Sequence, residues 1–108
     1  MREAIKKLLE DGVVISKIEL SGIEKMFETN PNLEEKVVKI HELALNKEYD
    51  VRWEVIGLNG EGNICYEMGV PDEEKADKLL SEIESLGLKT KDIMIVLEIL
   101  NDCSFIFL

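Results

Sequence analysis

Residues 49–70 read Tyr49-Asp50-Val51-Arg52-Trp53-Glu54-Val55-Ile56-Gly57-Leu58-Asn59-Gly60-Glu61-Gly62-Asn63-Ile64-Cys65-Tyr66-Glu67-Met68-Gly69-Val70, and this stretch decides the fold. Tyr49, Val51, Trp53 and Val55 alternate with Asp50, Arg52 and Glu54, the period-two pattern of a half-buried strand. Asn59-Gly60 is a strong hairpin signal, because both residues tolerate the positive φ that a tight turn requires. A two-residue turn there would set Trp53 opposite Tyr66, Val51 opposite Met68 and Val55 opposite Ile64, with Arg52 facing Glu67 behind them. A four-residue loop through Gly62 keeps the same faces and moves the partners by two.

Working outward, Val70-Pro71-Asp72 ends this hairpin and starts a helix capped by Asp72. Ala76, Leu79, Leu80, Ile83 and Leu86 form its buried stripe and Gly87 its stop. Ile93-Met94-Ile95-Val96-Leu97 opens a strand that runs to Leu100; Asn101-Asp102 turns the chain; Cys103 to Leu108 returns as a last strand. Upstream, Arg2–Asp11 carries Ile5, Leu8 and Leu9 on one helical face, with Gly12 as its end. Val13 to Leu20 reads as a strand, although a segment so short also fits a helix. Ser21 to Glu24 matches a capping box, and Asn30-Pro31 breaks the helix it opens. Asn32 then caps a helix to about Lys47, with Leu33, Val37, Ile40 and Ala44 facing inward.

These elements predict a single α+β domain over residues 1–108, with helices on one face of an antiparallel sheet. Setting aside the first helix and the last strand, the order is the βαββαβ of ferredoxin-like domains. That fold hosts many unrelated activities and implies none of them.

Composition narrows the functional classes. With 23 acidic and 13 basic side chains, the net charge is −10, which disfavours direct contact with nucleic-acid phosphates or anionic lipid. Glu and Lys abound and Gln is absent, a bias shared with proteins of hot habitats. Met1 to Lys7 shows no signal core, and the longest apolar run, Ile93 to Leu97, is far short of the ~20 residues of a membrane helix. Cys65 and Cys103 form no CxxC pair and read as reduced, buried thiols in a cytoplasmic protein.

Candidate sites are few. His41 is the lone histidine, so no two-histidine metal site exists within one chain; it reads as a structural residue on a helix flank, and no metal or cofactor is expected. Ser21-Gly22, as a strand-to-helix turn, would offer free N–H groups to a small anion. Asp50, Glu54 and Glu67 are the carboxylates an enzyme could use on the hairpin, but nothing in their spacing selects them. Trp53 and Tyr66 share a face with aliphatic residues and read as core.

The last two strands resist this bland account, being apolar on both faces. Met94, Val96, Leu100, Phe105 and Phe107 make most of the second face, interrupted by Glu98. That face needs a cover: the first helix, another copy of the chain, or a different protein. A second copy is favoured, which makes the chain a non-enzymatic binding, regulatory or assembly module acting as a homo-oligomer. The competing reading is an acidic adaptor or inhibitor docking on a basic, nucleic-acid-binding protein surface. An enzyme using the hairpin carboxylates ranks third.

Overall fold

The computed structural model describes residues 1–108 and is α+β. Its elements are helices α1 (Glu3–Glu10), α2 (Lys17–Thr29) and α3 (Pro31–Ala44), strands β1 (Glu54–Leu58) and β2 (Ile64–Val70), helix α4 (Glu73–Leu86), and strands β3 (Ile93–Ile99) and β4 (Ser104–Phe107). The four strands form one open sheet in the order β1-β2-β3-β4.

Local chemistry sets the helix ends. Asn30 caps α3 by accepting from Leu33 N–H at 3.2 Å, and Asp72 caps α4 by accepting from Lys75 N–H at 2.9 Å. Gly87, at φ +66°, ends α4 in the left-handed conformation that glycine adopts without a Cβ penalty. The α3 cap is thus Asn30 rather than Asn32, because Pro31 fits the first helical turn, where its missing N–H is no loss.

Two further expectations are corrected. Val13 to Leu20 is not a strand: Val14 makes one bridge to Val55, and α2 begins at Lys17. Ser16 is the cap, accepting from Glu19 N–H at 3.3 Å, and Leu20, Ile23 and Phe27 turn inward at helical spacing while Ile18 is 92% exposed. With that strand gone the ferredoxin-like order does not form, and the sheet is mixed rather than antiparallel. Two antiparallel hairpins, β1–β2 and β3–β4, are joined by α4, which brings β3 parallel to β2.

The second correction is the register of β1. The loop from Asn59 to Asn63 holds five residues, closed by the Asn59 side chain accepting from Glu61 N–H (3.0 Å) and Asn63 N–H (2.9 Å). Ile56 therefore pairs with Tyr66, and Glu54 with Met68. Compared with the two-residue turn this moves the partners by three, an odd number, so β1 presents its opposite face to the core. Ile56 is buried beside Tyr66, and Trp53 goes to the far side, over Gly69. The β3–β4 register, Ile99 opposite Ser104, is the one an Asn101-Asp102 turn implies.

One cluster of buried side chains unites Ile5 and Leu8 of α1, Ile23 and Phe27 of α2, Val37 and Ile40 of α3, and Ala76, Leu79 and Ile83 of α4 with Ile64, Tyr66, Met68, Ile93, Ile95 and Leu97 of the sheet. Val96 is equally buried but stands outside this cluster, on the other sheet face. No helix is long and apolar enough to cross a membrane.

Candidate functional site

The pairing registers assign the second sheet face row by row. Gly57, Cys65 and Met94 share one row; Val55, Glu67, Val96 and Phe107 the next; Gly69, Glu98 and Phe105 the third. The strands place two carboxylates, Glu67 and Glu98, and no basic residue on this face, and the Glu19 carboxylate of α2 reaches over Gly57 beside them. Trp53 lies over Gly69, where an added Cβ would come within 2.9 Å of the indole Nε1, and Leu100 closes the same spot at 3.3 Å. Phe105 and Phe107, two apart on β4, align their rings at a centroid distance of 6.3 Å and are 53% and 67% exposed. Of the residues expected at an interface, Val96 is buried, Met94 and Leu100 are half-buried, and the two phenylalanines are open to solvent.

The first helix is not the cover for this face. Ile5 and Leu8 are wholly buried in the core cluster, and α1 packs against α3. An Arg2–Glu34 pair fastens it there through Nε–Oε2 at 2.6 Å and Nη2–Oε1 at 2.8 Å. A groove of about 710 Å³ runs beside this pair, past Met1, Lys7, Glu35 and Val38.

Within the core the β1 register creates a polar relay. His41, 1% exposed, places Nε2 at 2.8 Å from Asp11 Oδ2 and Nδ1 at 2.8 Å from the Tyr66 hydroxyl. Tyr66 O–H donates to Glu54 Oε2 at 3.1 Å, which is also 3.1 Å from His41 Nδ1. An imidazolium satisfies every member: Nε2–H donates to Asp11, Nδ1–H to Tyr66, and Tyr66 O–H to Glu54. Either neutral tautomer loses a bond. One points a bare Nε2 at the Asp11 carboxylate, and the other takes the Tyr66 proton away from Glu54. Burial alone would lower the His41 pKa, but hydrogen bonds to Glu54 and Asp11, reinforced by their charges, overcome it and raise the value above the ordinary one. The same His41 bond lowers Asp11. Burial, with Glu54 alongside, pushes the Tyr66 phenol far up, so it stays a donor.

Sequence reading treats His41 as a lone structural residue and misses its partners, which lie 30, 25 and 13 positions away. It also groups Asp50, Glu54 and Glu67. Asp50 and Glu54 line one cleft of about 360 Å³ with Asn46, Lys47 and Val51, whereas Glu67 belongs to the other sheet face beside Glu19, Gly57 and Cys65. Asp50 is solvent-exposed and paired with Arg52 at 3.2 Å, and Glu54 is held by Tyr66 and His41.

Ser21 and Gly22 fall inside α2, beyond the cap at Ser16, so the free N–H groups expected of a turn are not at that position. Gly22 instead lets α2 approach β1, since a Cβ there would lie 3.1 Å from Leu58 Cδ1. Cys65 is half-buried; burial first, then Glu67 and Glu19, raises its thiol pKa and holds it in the unreactive form. Cys103, expected to be buried, is exposed at φ +52° in the β3–β4 turn.

No protein-family model matches the chain, and searches of curated proteins and of solved structures return no match.

Proposed function

We propose that this chain is a non-enzymatic binding or assembly module that self-associates through its C-terminal hairpin. The observation that carries the reading is the uncovered second face of β3 and β4, where Phe105 and Phe107 stand in solvent beside Met94, Val96 and Leu100. Large exposed aromatics grouped on one sheet face are a recurrent mark of protein interfaces. The buried side chains of all four helices join the core on the other face. Of this second face only the β1 end is approached by a helix, through Glu19 over Gly57, which leaves the β3–β4 part free for a partner. Two unpaired cysteines support a cytoplasmic setting.

Size-exclusion chromatography with light scattering tests the reading. The wild-type mass should exceed the 12.3 kDa of one chain and rise with concentration, while Phe105→Glu should elute as a monomer. A soluble Phe105→Glu protein with an unchanged oligomeric mass removes the hairpin from consideration.

The net charge of −10 supports a second reading, an acidic adaptor or inhibitor on a basic protein surface. It predicts a stoichiometric complex that weakens steeply with salt.

A further inference from the structure

The two edges of the sheet are unlike. The outer side of β1 is occupied: Val14 N–H donates to Glu54 C=O at 3.2 Å, Ile56 N–H donates to Val14 C=O at 3.1 Å, and α2 packs alongside. The outer side of β4 pairs with nothing. Ile95 and Leu108 exchange both backbone bonds, at 3.3 and 2.9 Å, and this fixes the alternation along β4. Ser104, Ile106 and Leu108 turn their backbone groups toward β3, and Phe105 and Phe107 turn theirs outward. The two residues whose rings are most exposed thus also present the free N–H and C=O groups of the edge. An uncapped apolar edge of this kind is a template for another strand.

We propose that two copies join edge to edge through β4, antiparallel about Ile106, so that their sheets continue as one of eight strands. This inference rests on the self-association reading above. The edge itself is free of like charges that would oppose a second copy joined in this way, and its pairing pattern is self-complementary about Ile106. Ser104 to Phe107 bear no ionisable side chain, in a molecule of net charge −10. Stacking two sheet faces would instead crowd Glu67 and Glu98 of both copies into a dry contact with no basic residue to meet them.

Register follows from the outward groups. With Ile106 opposite itself, Phe105 of each copy faces Phe107 of the other, and the two pairs exchange four backbone hydrogen bonds. The four rings then gather on the open face. Placing Phe105 opposite itself would instead set Phe107 against Cys103, whose φ of +52° breaks the extended conformation. The exposed ring surface is on the order of 250 Å² per copy, well below the ~800 Å² per partner of a standard stable interface. The dimer is therefore weak and depends on concentration.

Three measurements on the full chain test this. Sedimentation velocity over a concentration series should show a monomer–dimer equilibrium, with Phe107→Glu weakening it by about thirtyfold or more. Amide exchange by NMR should slow at Phe105 and Phe107 as concentration rises, while Ile106, already bonded to β3, stays constant. Ile106→Cys in a Cys65→Ala, Cys103→Ser background should form a disulfide dimer under mild oxidation, because directly opposed residues of a non-hydrogen-bonded pair lie about 4.5 Å apart at Cα. Self-association without amide protection and without this crosslink overturns the edge pairing but leaves the hairpin interface standing. A wild-type monomer at every concentration overturns both.

Discussion

Replacing His41 with leucine removes the centre of a relay that ties the α1–α2 turn, α3, β1 and β2 together. Leucine fits the space without adding bulk, so the loss is one of polar contacts. The Tyr66 hydroxyl loses its donor, and Glu54, with a side chain 11% exposed, loses the cation 3.1 Å away. Breaking a fully buried ion pair costs about 3–5 kcal/mol. Water reaches both ends of this relay, slightly at Glu54 and more freely at Asp11, whose side chain is 27% exposed, so little is assigned to the Asp11 arm. The expected loss is about 2–3 kcal/mol, or roughly 10–20 °C in melting temperature for a chain of this size.

The pH dependence identifies the charged state. The folded His41 pKa is raised, so between the ordinary value near 6.5 and the raised one the folded chain holds a proton that the unfolded chain has released. Stability from this group is complete below the unfolded pKa and falls as pH rises through the folded one, with a limiting slope of about 1.4 kcal/mol per pH unit. Urea denaturation from pH 6 to 8.5 should show the fall in the wild type and a nearly flat profile in His41→Leu. A flat wild-type profile, or an unchanged fall in the variant, would refute the imidazolium assignment.

Other substitutions probe separate contacts. Tyr66→Phe keeps the ring in the core but removes both the bond from His41 and the bond to Glu54, and should cost about 1–2 kcal/mol. Because Asp11 and Glu54 still face the two ring nitrogens, the pH-dependent fall stays in place, as urea titrations at two pH values will show. Gly69→Ala pushes a methyl to within 2.9 Å of Trp53 Nε1, so it should destabilise by about 1 kcal/mol or more and shift the fluorescence of the only tryptophan. Gly60→Ala meets no atom within 4 Å and should leave both stability and fluorescence nearly unchanged. Asn30→Ala deletes the α3 cap and should lower the thermal midpoint by an amount equivalent to about 1 kcal/mol.

What the sequence reveals follows the range of each interaction. The α4 cap at Asp72, its stop at Gly87 and the β3–β4 register are written in adjacent residues, and all three are found where the pattern puts them. The β1 register is not, because Val51, Trp53 and Val55 compete with Ile56 and Leu58 for the inward face, and either parity is apolar. A side chain closing the Asn59–Asn63 loop decides it. At Val13 to Leu20, apparent alternation conceals Ser16-Lys17-Ile18-Glu19, itself a capping-box sequence one turn ahead of the box at Ser21. The exposed hairpin face was legible because β3 and β4 are apolar on both sides. The relay at His41 was not, since its partners come from three distant segments and no local spacing announces them.

Sedimentation velocity of the wild type and Phe107→Glu, run side by side from micromolar to millimolar concentration, tests the central claim most directly. The wild type should move from monomer toward dimer as concentration rises, and Phe107→Glu should remain a folded monomer throughout. A wild type that stays monomeric at millimolar concentration, or a folded Phe107→Glu that dimerises equally well, would contradict it.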